Sequence, residues 1–397
     1  MTDNRIRVVV AGAGVAGLET ALALEALARE YVTVELVAPE REFTYRPLAV
    51  AEPFAVGEVR RFPLDQLVRA TGAGLRKGTL VAVDPEEKTA LLADGSSVGY
   101  DALVLALGAQ PREAVPGALT FRGAEDRVAL TDLLERATAG EVRRLVFAVP
   151  TTAGWPLPLY ELALLAREYV AEHVTRDVEI TVVTPEARPL GLFGTAASNA
   201  VAELLDLRGV RIETDTAAHS WADGLLSLDD GRDLRADAVV AVPTFAGAQI
   251  DGIPQDESGF IETDEYGAVA GLTDVYAAGD LIQSWLKQGG LAAQQADTVA
   301  TAIAALAGAP VRPTPYRPVL RGFLLTGMAP RFLRSDDRSS IVDTQPLWWP
   351  PAKIVGRYLS PFLARHLGLA SQAEPPKDAL PIEVTLDTRD HATWSAV

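Results

Sequence analysis

Four short stretches of this chain hold residue types that can do chemistry. The first is Gly12-Ala13-Gly14-Val15-Ala16-Gly17. Gly12 permits a tight turn, Gly14 lets a pyrophosphate approach the backbone, and Gly17 lets a helix pack closely on a strand. The free N–H groups at the start of that helix, from Val15 and Ala16 onward, would face the diphosphate. The second, far along the chain, is Thr273-Asp274-Val275-Tyr276-Ala277-Ala278-Gly279-Asp280. Here a strand ends in Gly-Asp: Gly279 allows close approach, and the Asp280 carboxylate can accept hydrogen bonds from a polyol. A simple helix N-cap is the other role for Asp280, and the two can coexist. The third is Leu105-Ala106-Leu107-Gly108-Ala109-Gln110-Pro111, a second turn of the nucleotide-binding kind. The fourth is Lys287-Gln288-Gly289-Gly290. Lys287 could set a cation beside a carbonyl that gains negative charge, or could be a surface lysine in a loop. Zero cysteines exclude disulfides, thiolate metal sites and cysteine nucleophiles.

The elements that must position these residues are legible too. Ile6 to Ala11 is a continuous β-branched run, as expected of a strand buried on both faces. Gly17 to Ala28 reads as a helix and Val32 to Val37 as the next strand. Strand, glycine turn, helix and strand in succession form the context that gives the motif its meaning. An acidic residue usually ends the second strand and binds a ribose. Ala38 stands there, with Glu40 two residues on. Glu40 is therefore a candidate for the ribose, or an ordinary solvated charge.

The pattern repeats. Arg144 to Val149 reads as a strand, Leu157 to Val170 as a helix and Val178 to Val183 as a strand. The turn between, Pro150-Thr151-Thr152-Ala153-Gly154-Trp155-Pro156-Leu157-Pro158, has one glycine and three prolines. Proline has no N–H to offer a phosphate, and Trp155 adds bulk. Glu186, just past the strand, could hold a ribose.

Bulk properties narrow the function. A net charge of −17 argues against nucleic acid as a partner. No apolar run approaches the roughly 18–20 residues of a membrane span. No secretory signal is visible, so the expected location is the cytoplasm, in solution or on the inner face of the membrane.

On these motifs the chain resembles flavoproteins with two dinucleotide-binding domains, and is most similar to the sulfide:quinone oxidoreductase and type II NADH dehydrogenase group. Phe43-Thr44-Tyr45-Arg46-Pro47-Leu48 is similar to the aromatic-x-Pro segment that lies near the flavin in that group. Tyr100 to Gly108 resembles the strand that returns to the FAD domain, and Thr273 to Asp280 the segment whose last Asp binds the ribityl chain. Gly290-Leu291-Ala292-Ala293-Gln294-Gln295-Ala296 resembles the helix start near the flavin pyrimidine and the quinone. The resemblance implies an α/β fold with two Rossmann-like domains. It divides the chain into FAD-domain parts at residues 1–140 and 255–312, an NAD(P)-domain-like unit at 141–254 and a C-terminal region at 313–397. It implies non-covalent FAD held by Gly12, Gly14, Val15, Ala16, Gly17, Ala38, Glu40, Tyr45, Arg46, Pro47, Val81, Ala106, Leu107, Gly108, Gly279, Asp280, Lys287, Gly290 and Leu291, with no metal. Glu161 falls near a helix glutamate that NADH-using members keep beside the nicotinamide; a solvated helix charge is the alternative. The sulfur chemistry of sulfide:quinone oxidoreductases needs cysteines, which this chain lacks.

The expected activity is transfer of electrons from an unidentified donor through FAD to a quinone-like acceptor, with Lys287 and Glu161 as candidate catalytic groups. The alternatives are an NAD(P)H dehydrogenase that uses the atypical middle turn, and a flavin-binding protein without activity. Residues 312–367 hold nine Lys or Arg and three Asp, a net of +6 in an acidic chain. They include Pro346-Leu347-Trp348-Trp349-Pro350-Pro351, and a stripe of Ile354, Tyr358 and Phe362 beside one of Val355, Leu359, Leu363 and Leu367, interrupted at Pro361. Tryptophan beside a basic amphipathic helix suits an interfacial membrane contact at 346–367. The alternatives are a cover over the FAD domain or a homodimer interface. Ile382 to Leu386 reads as a last strand.

Overall fold

The computed structural model describes residues 5–151, 154–173 and 178–366. Two parallel five-stranded sheets organise the α/β fold. In the first, the order is Val275–Ala277, Ala102–Leu105, Ile6–Ala11, Val32–Ala38 and Gly74–Lys77. In the second it is Leu119–Thr120, Ala238–Ala241, Arg144–Ala148, Glu179–Val183 and Val210–Glu213. Both have covered faces, which is why their strands are near-continuous apolar runs; Val8, Val9 and Val10 have no exposed surface. Each sheet has a three-stranded antiparallel companion: Leu80–Asp84, Thr89–Leu92 and Ser97–Gly99 in one case, Ala218–Ala222, Leu225–Leu228 and Asp233–Arg235 in the other. Strands Ala109–Arg112 and Thr244–Gly247, one leading into the second sheet and one leaving it, pair antiparallel.

The first helix is Val15–Ala28, two residues longer at its start than its composition suggests, with Gly14 at the N-cap. It is apolar nearly all round because it lies between the sheet and a second helix, Gly289–Leu306, in one shared core. Beyond this pair, strands Leu320–Leu324, Arg331–Ser335 and Ser340–Asp343 form an antiparallel sheet. Leu320, Leu324 and Leu333 join the core of the second parallel sheet.

The C-terminal segment buries most of the apolar residues for which the sequence left a membrane contact, a cover over the FAD domain and a dimer interface open. Trp348, Ile354, Val355, Leu359 and Leu363 are 2%, 5%, 3%, 0% and 5% exposed. Trp348 packs edge-on against Phe332, and Leu359 and Leu363 enter the core of the first helix pair. The helix is Leu359–His366 alone, so Ile354 and Phe362 never share a helical stripe. The apolar face was real, but it meets protein: the segment covers the FAD-type half. No helix among the described residues is long and apolar enough to cross a membrane. The strand expected at Ile382 to Leu386 lies outside the described residues.

Docking of this segment depends on Glu19, fully buried in the first helix. Its carboxylate accepts from Tyr358 N (2.8 Å) and Leu359 N (2.6 Å). Asp297 on the facing helix is its neighbour, and Asp297 Oδ1 is closed off without a partner among the described residues. Burial lifts Glu19 to about 7, and burial together with the Glu19 charge lifts Asp297 well above the carboxylate range; Arg357 opposes the second rise. Folded-state pKa values above the unfolded ones mean that the native protein binds more protons. Stability should therefore fall as pH rises from about 4.5 to about 7. Glu19→Gln should make the fall in melting temperature over that interval shallower; an identical profile would show that Glu19 ionises freely.

Candidate functional site

The glycine turn opens at the carboxyl end of strand Ile6–Ala11, and each glycine has a different neighbour. Gly12 has φ of +107°, and a Cβ there would lie 2.2 Å from Ala106 O. A Cβ on Gly17 would lie 1.9 Å from Gly12 O. A Cβ on Gly14 would meet nothing within 4 Å. Two glycines thus serve packing and one faces open space. No side chain caps the helix that follows, so its first N–H groups at Val15 and Ala16 remain available to an anion. Alongside, Ala106 N donates to Ala11 O (2.8 Å), Leu107 follows, and Gly108 turns with φ of +70° beside more open space.

Asp280 reaches the same place from the other end of the chain. Gly279 N donates to Gln295 Oε1 (2.8 Å), and a Cβ on Gly279 would lie 3.1 Å from Ala16 Cβ. This close approach sets Asp280 over the start of the first helix. Burial raises its pKa, while the charges of Lys287 and Arg46 oppose the rise. Among the described residues no hydrogen bond reaches its carboxylate. A half-buried carboxylate that no hydrogen bond satisfies among the described residues, beside a glycine cradle, fits a dinucleotide cofactor with polyol hydroxyls.

Lys287 is 8% exposed, not a surface lysine. Its ammonium donates to Ile282 O (2.7 Å) and lies 3.6 Å over the Phe260 ring. Burial pulls its pKa down to about 8 against the charges of Asp280 and Asp256. Its N–H donates to Gly154 O (2.7 Å), and a Cβ on Gly154 would lie 2.7 Å from Lys287 Cγ. The middle turn is therefore packed against Lys287. Trp155 lies edge-on to Phe193, ring centroids 6.0 Å apart.

The other candidate residues are spread around this centre. Ala38 ends its strand 1% exposed, and Glu40 is exposed in the loop beyond. Val81 is partly exposed, and its carbonyl accepts from Asp251 N (3.2 Å). Arg46 is exposed and, with Pro47, opens the 3₁₀ helix Arg46–Phe54. Gly290 and Leu291 open their helix, where Leu291 N donates to Gln288 Oε1 (2.8 Å). Tyr45 Oη accepts from Ile354 N (3.0 Å), and burial pushes Tyr45 up to about 12. A Cβ on Gly289 would lie 3.0 Å from Ile354 Cγ1. Ile354 thus meets both segments expected near the flavin, and no motif announced it.

Glu161 is neither solvated nor open. It is 1% exposed, accepts from Leu325 N (2.8 Å), and both its oxygens take Lys353 Nζ at 2.6 Å. Glu186 accepts from Tyr160 Oη (2.6 Å) and Thr184 Oγ1 (3.1 Å). It borders a cavity of about 500 Å³ that also includes Val149, Pro150, Pro156, Arg188 and Trp285. This cavity lies at the carboxyl ends of the second sheet's strands, where open α/β sheets take ligands.

The family model described as pyridine nucleotide-disulphide oxidoreductase matches residues 6–302, and the chain belongs to that family. The family binds FAD, and the chain is an FAD-dependent oxidoreductase. Among its relatives, demethylphylloquinone reductase NdbB of Synechocystis sp. is 28% identical over 353 residues, 80% of this chain and 84% of that protein. The external alternative NAD(P)H-ubiquinone oxidoreductase B1 of Solanum tuberosum is 24% identical over 70% of this chain and 55% of its own length. In fold, the sulfide:quinone oxidoreductase of Aquifex aeolicus superposes with a TM-score of 0.75 at 19% identity, covering 85% of this chain and 86% of that one.

Two predictions follow from this geometry. Gly14 has φ −77° and ψ −162°, a conformation open to any residue. Gly14→Val should therefore fold with an unchanged melting temperature as apoprotein, yet bind FAD at least about 100-fold more weakly, or about 2.7 kcal/mol. Retained affinity on titration with FAD would place the diphosphate elsewhere. Glu161→Gln alone should cost about 3–5 kcal/mol in urea denaturation because it strands a buried lysine, and adding Lys353→Met should recover most of that. Full stability with lost activity in Glu161→Gln would instead make Glu161 a catalytic group.

Proposed function

We propose that the chain passes electrons through FAD to a quinone-like acceptor, without cysteine chemistry. FAD is held by residues 1–140 and 255–312, beside an NAD(P)-domain-like unit at 141–254. The observation that carries this reading is the Asp280 carboxylate, without a hydrogen bond among the described residues, beside the Gly14 cradle and within the field of the buried Lys287 ammonium. FAD supplies the redox chemistry of its ring system. Gly14 admits the diphosphate, Asp280 accepts from the polyol, and Lys287 holds a positive charge and an exchangeable proton near neutral pH. The similarity to demethylphylloquinone reductase supports a quinone as acceptor.

A second reading has its own observation: the cavity beside Glu186 suits NAD(P)H as the donor. The relative named an NAD(P)H-ubiquinone oxidoreductase supports it. Against it, Pro150, Pro156 and Pro158 offer no N–H to a pyrophosphate, and Gly154 is packed on Lys287. An inactive flavin-binding protein has less support, because Trp155 packs on Phe193 and Trp348 on Phe332.

Reduced anaerobically with dithionite, the protein should be reoxidised by menadione at on the order of 10 s⁻¹ or faster. The rate should fall as pH rises through about 8, where Lys287 loses its proton, and Lys287→Met should remove that limb. Reoxidation no faster than by oxygen would sink the quinone reading. Rapid bleaching of the oxidised flavin by NADH or NADPH would establish the second reading for the donor.

A further inference from the structure

The C-terminal sheet carries a charge that the rest of the described protein does not balance. Strand Leu320–Leu324 alternates in burial. Leu320 and Leu324 face the core of the second parallel sheet, and a Cβ on Gly322 would strike Phe193 and Leu157 there. Arg321 and Phe323 therefore lie on the opposite face. Across the ladder, Arg321 pairs with Arg334 and Phe323 with Phe332, whose rings stack at 4.7 Å. Two guanidinium groups thus stand side by side next to an aromatic pair.

Only one of the two is neutralised. Arg334 binds Asp336 Oδ2 (2.6 Å) and Ser339 Oγ (3.1 Å). Among the described residues the Arg321 guanidinium has no hydrogen bond and no ion pair. Burial and the Arg334 charge pull its pKa down to about 10, with Asp336 opposing, so it remains charged at neutral pH. Arg321 is nonetheless half-buried rather than fully enclosed. A partly buried guanidinium without a partner is unfavourable, and its planar fork of donors matches a carboxylate bidentately.

Its position ties it to the redox centre. Gln288 Nε2 donates to Arg321 O (3.0 Å), while Gln288 Oε1 caps Leu291 N (2.8 Å) at the start of helix Gly289–Leu306. One side chain thus joins the arginine strand to the helix end that carries candidate cofactor residues Gly290 and Leu291.

We propose that Arg321 is the specificity-determining residue of the acceptor site, and that the acceptor there is a quinone whose ring system carries a carboxylate and which takes two electrons and two protons to leave as the hydroquinone. The carboxylate takes Arg321 and the ring lies along Phe323. The acceptor role rests on the quinone reading above; the anion site does not.

The test uses the full-length FAD-loaded protein, with 2-naphthoate and its uncharged counterpart 2-naphthol as probes in calorimetric titration. Naphthoate should bind at least about 10-fold tighter than naphthol, Arg321→Met should erase that preference, and Arg321→Lys should keep part of it. Without ligand, Arg321→Met should melt no lower than the parent protein, because it removes an uncompensated charge. In anaerobic reoxidation of the dithionite-reduced protein, naphthoate should raise the menadione concentration that gives half the maximal rate and leave the maximal rate unchanged. Equal binding of the two probes, or a preference that survives in Arg321→Met, would overturn the anion site. A lower melting temperature in Arg321→Met would also overturn it, by showing a partner within the chain. Arg321-dependent binding that leaves the half-saturating menadione concentration untouched would overturn the acceptor role. Arg321-dependent binding in a protein that menadione does not reoxidise would sustain the anion site and remove the quinone reading alone.

Discussion

The site depends on a backbone approach that no side chain would permit. Helix Val15–Ala28 reaches strand Ile6–Ala11 only because Gly17 has no Cβ, which would lie 1.9 Å from Gly12 O. Gly12 in turn fits against Ala106 O at a distance that excludes a Cβ. With the helix drawn in this far, Gly279 comes against Ala16 and Asp280 against the helix start. The small residues of helix Gly289–Leu306, Ala292, Ala296 and Ala300, then close the outer side of the first helix. Bulk at either inner glycine would move the cradle, the carboxylate and the covering helix together.

That local logic explains what could be read from the sequence. The glycine turns, the Gly-Asp strand end and the β-branched runs are signals carried by neighbouring residues, and they mark six of the ten strands of the two parallel sheets; Gly74–Lys77, Leu119–Thr120, Val210–Glu213 and Ala238–Ala241 carry no such signal. Pairings between distant residues carry no local signature. Strands Ala109–Arg112 and Thr244–Gly247 form a ladder that neither predicts alone. Glu161 was legible as a helix glutamate, but its partner Lys353 is 192 positions away. The Gln288 and Gln295 side chains look like ligand contacts in a motif, yet one caps a helix and the other fixes Gly279 N. Ile354 was legible only as part of an apolar stripe; its place beside the cofactor segments follows from Tyr45 and Gly289.

The C-terminal segment shows a deeper ambiguity. An amphipathic stripe with basic flanks has the same sequence whether its apolar side meets lipid or protein. Leu359 and Leu363 are buried against the first helix pair, so this part of the stripe meets protein. Two of the basic residues are occupied as well: Lys353 neutralises Glu161 and Arg334 neutralises Asp336. A local excess of positive charge therefore says little about a surface until the acidic partners from other parts of the chain are in place.

Around the start of helix Gly289–Leu306, the protein encloses charge in four ways, and the differences are chemical. Glu161 and Lys353 neutralise each other. Glu19 and Asp297, of like sign, are relieved by protonation, which a carboxyl can accept at modest cost when burial already favours it. Lys287 lies beside Asp280 and can also release its proton near pH 8. Arg321 has neither route: its pKa stays far above neutral, and Asp336 is engaged by Arg334. Carboxyls and lysines can adjust their protonation to a closed interior, whereas a guanidinium needs an anion. An arginine that the described residues leave unbalanced, one side chain away from the cofactor-bearing helix end, is for that reason a statement about what enters the site.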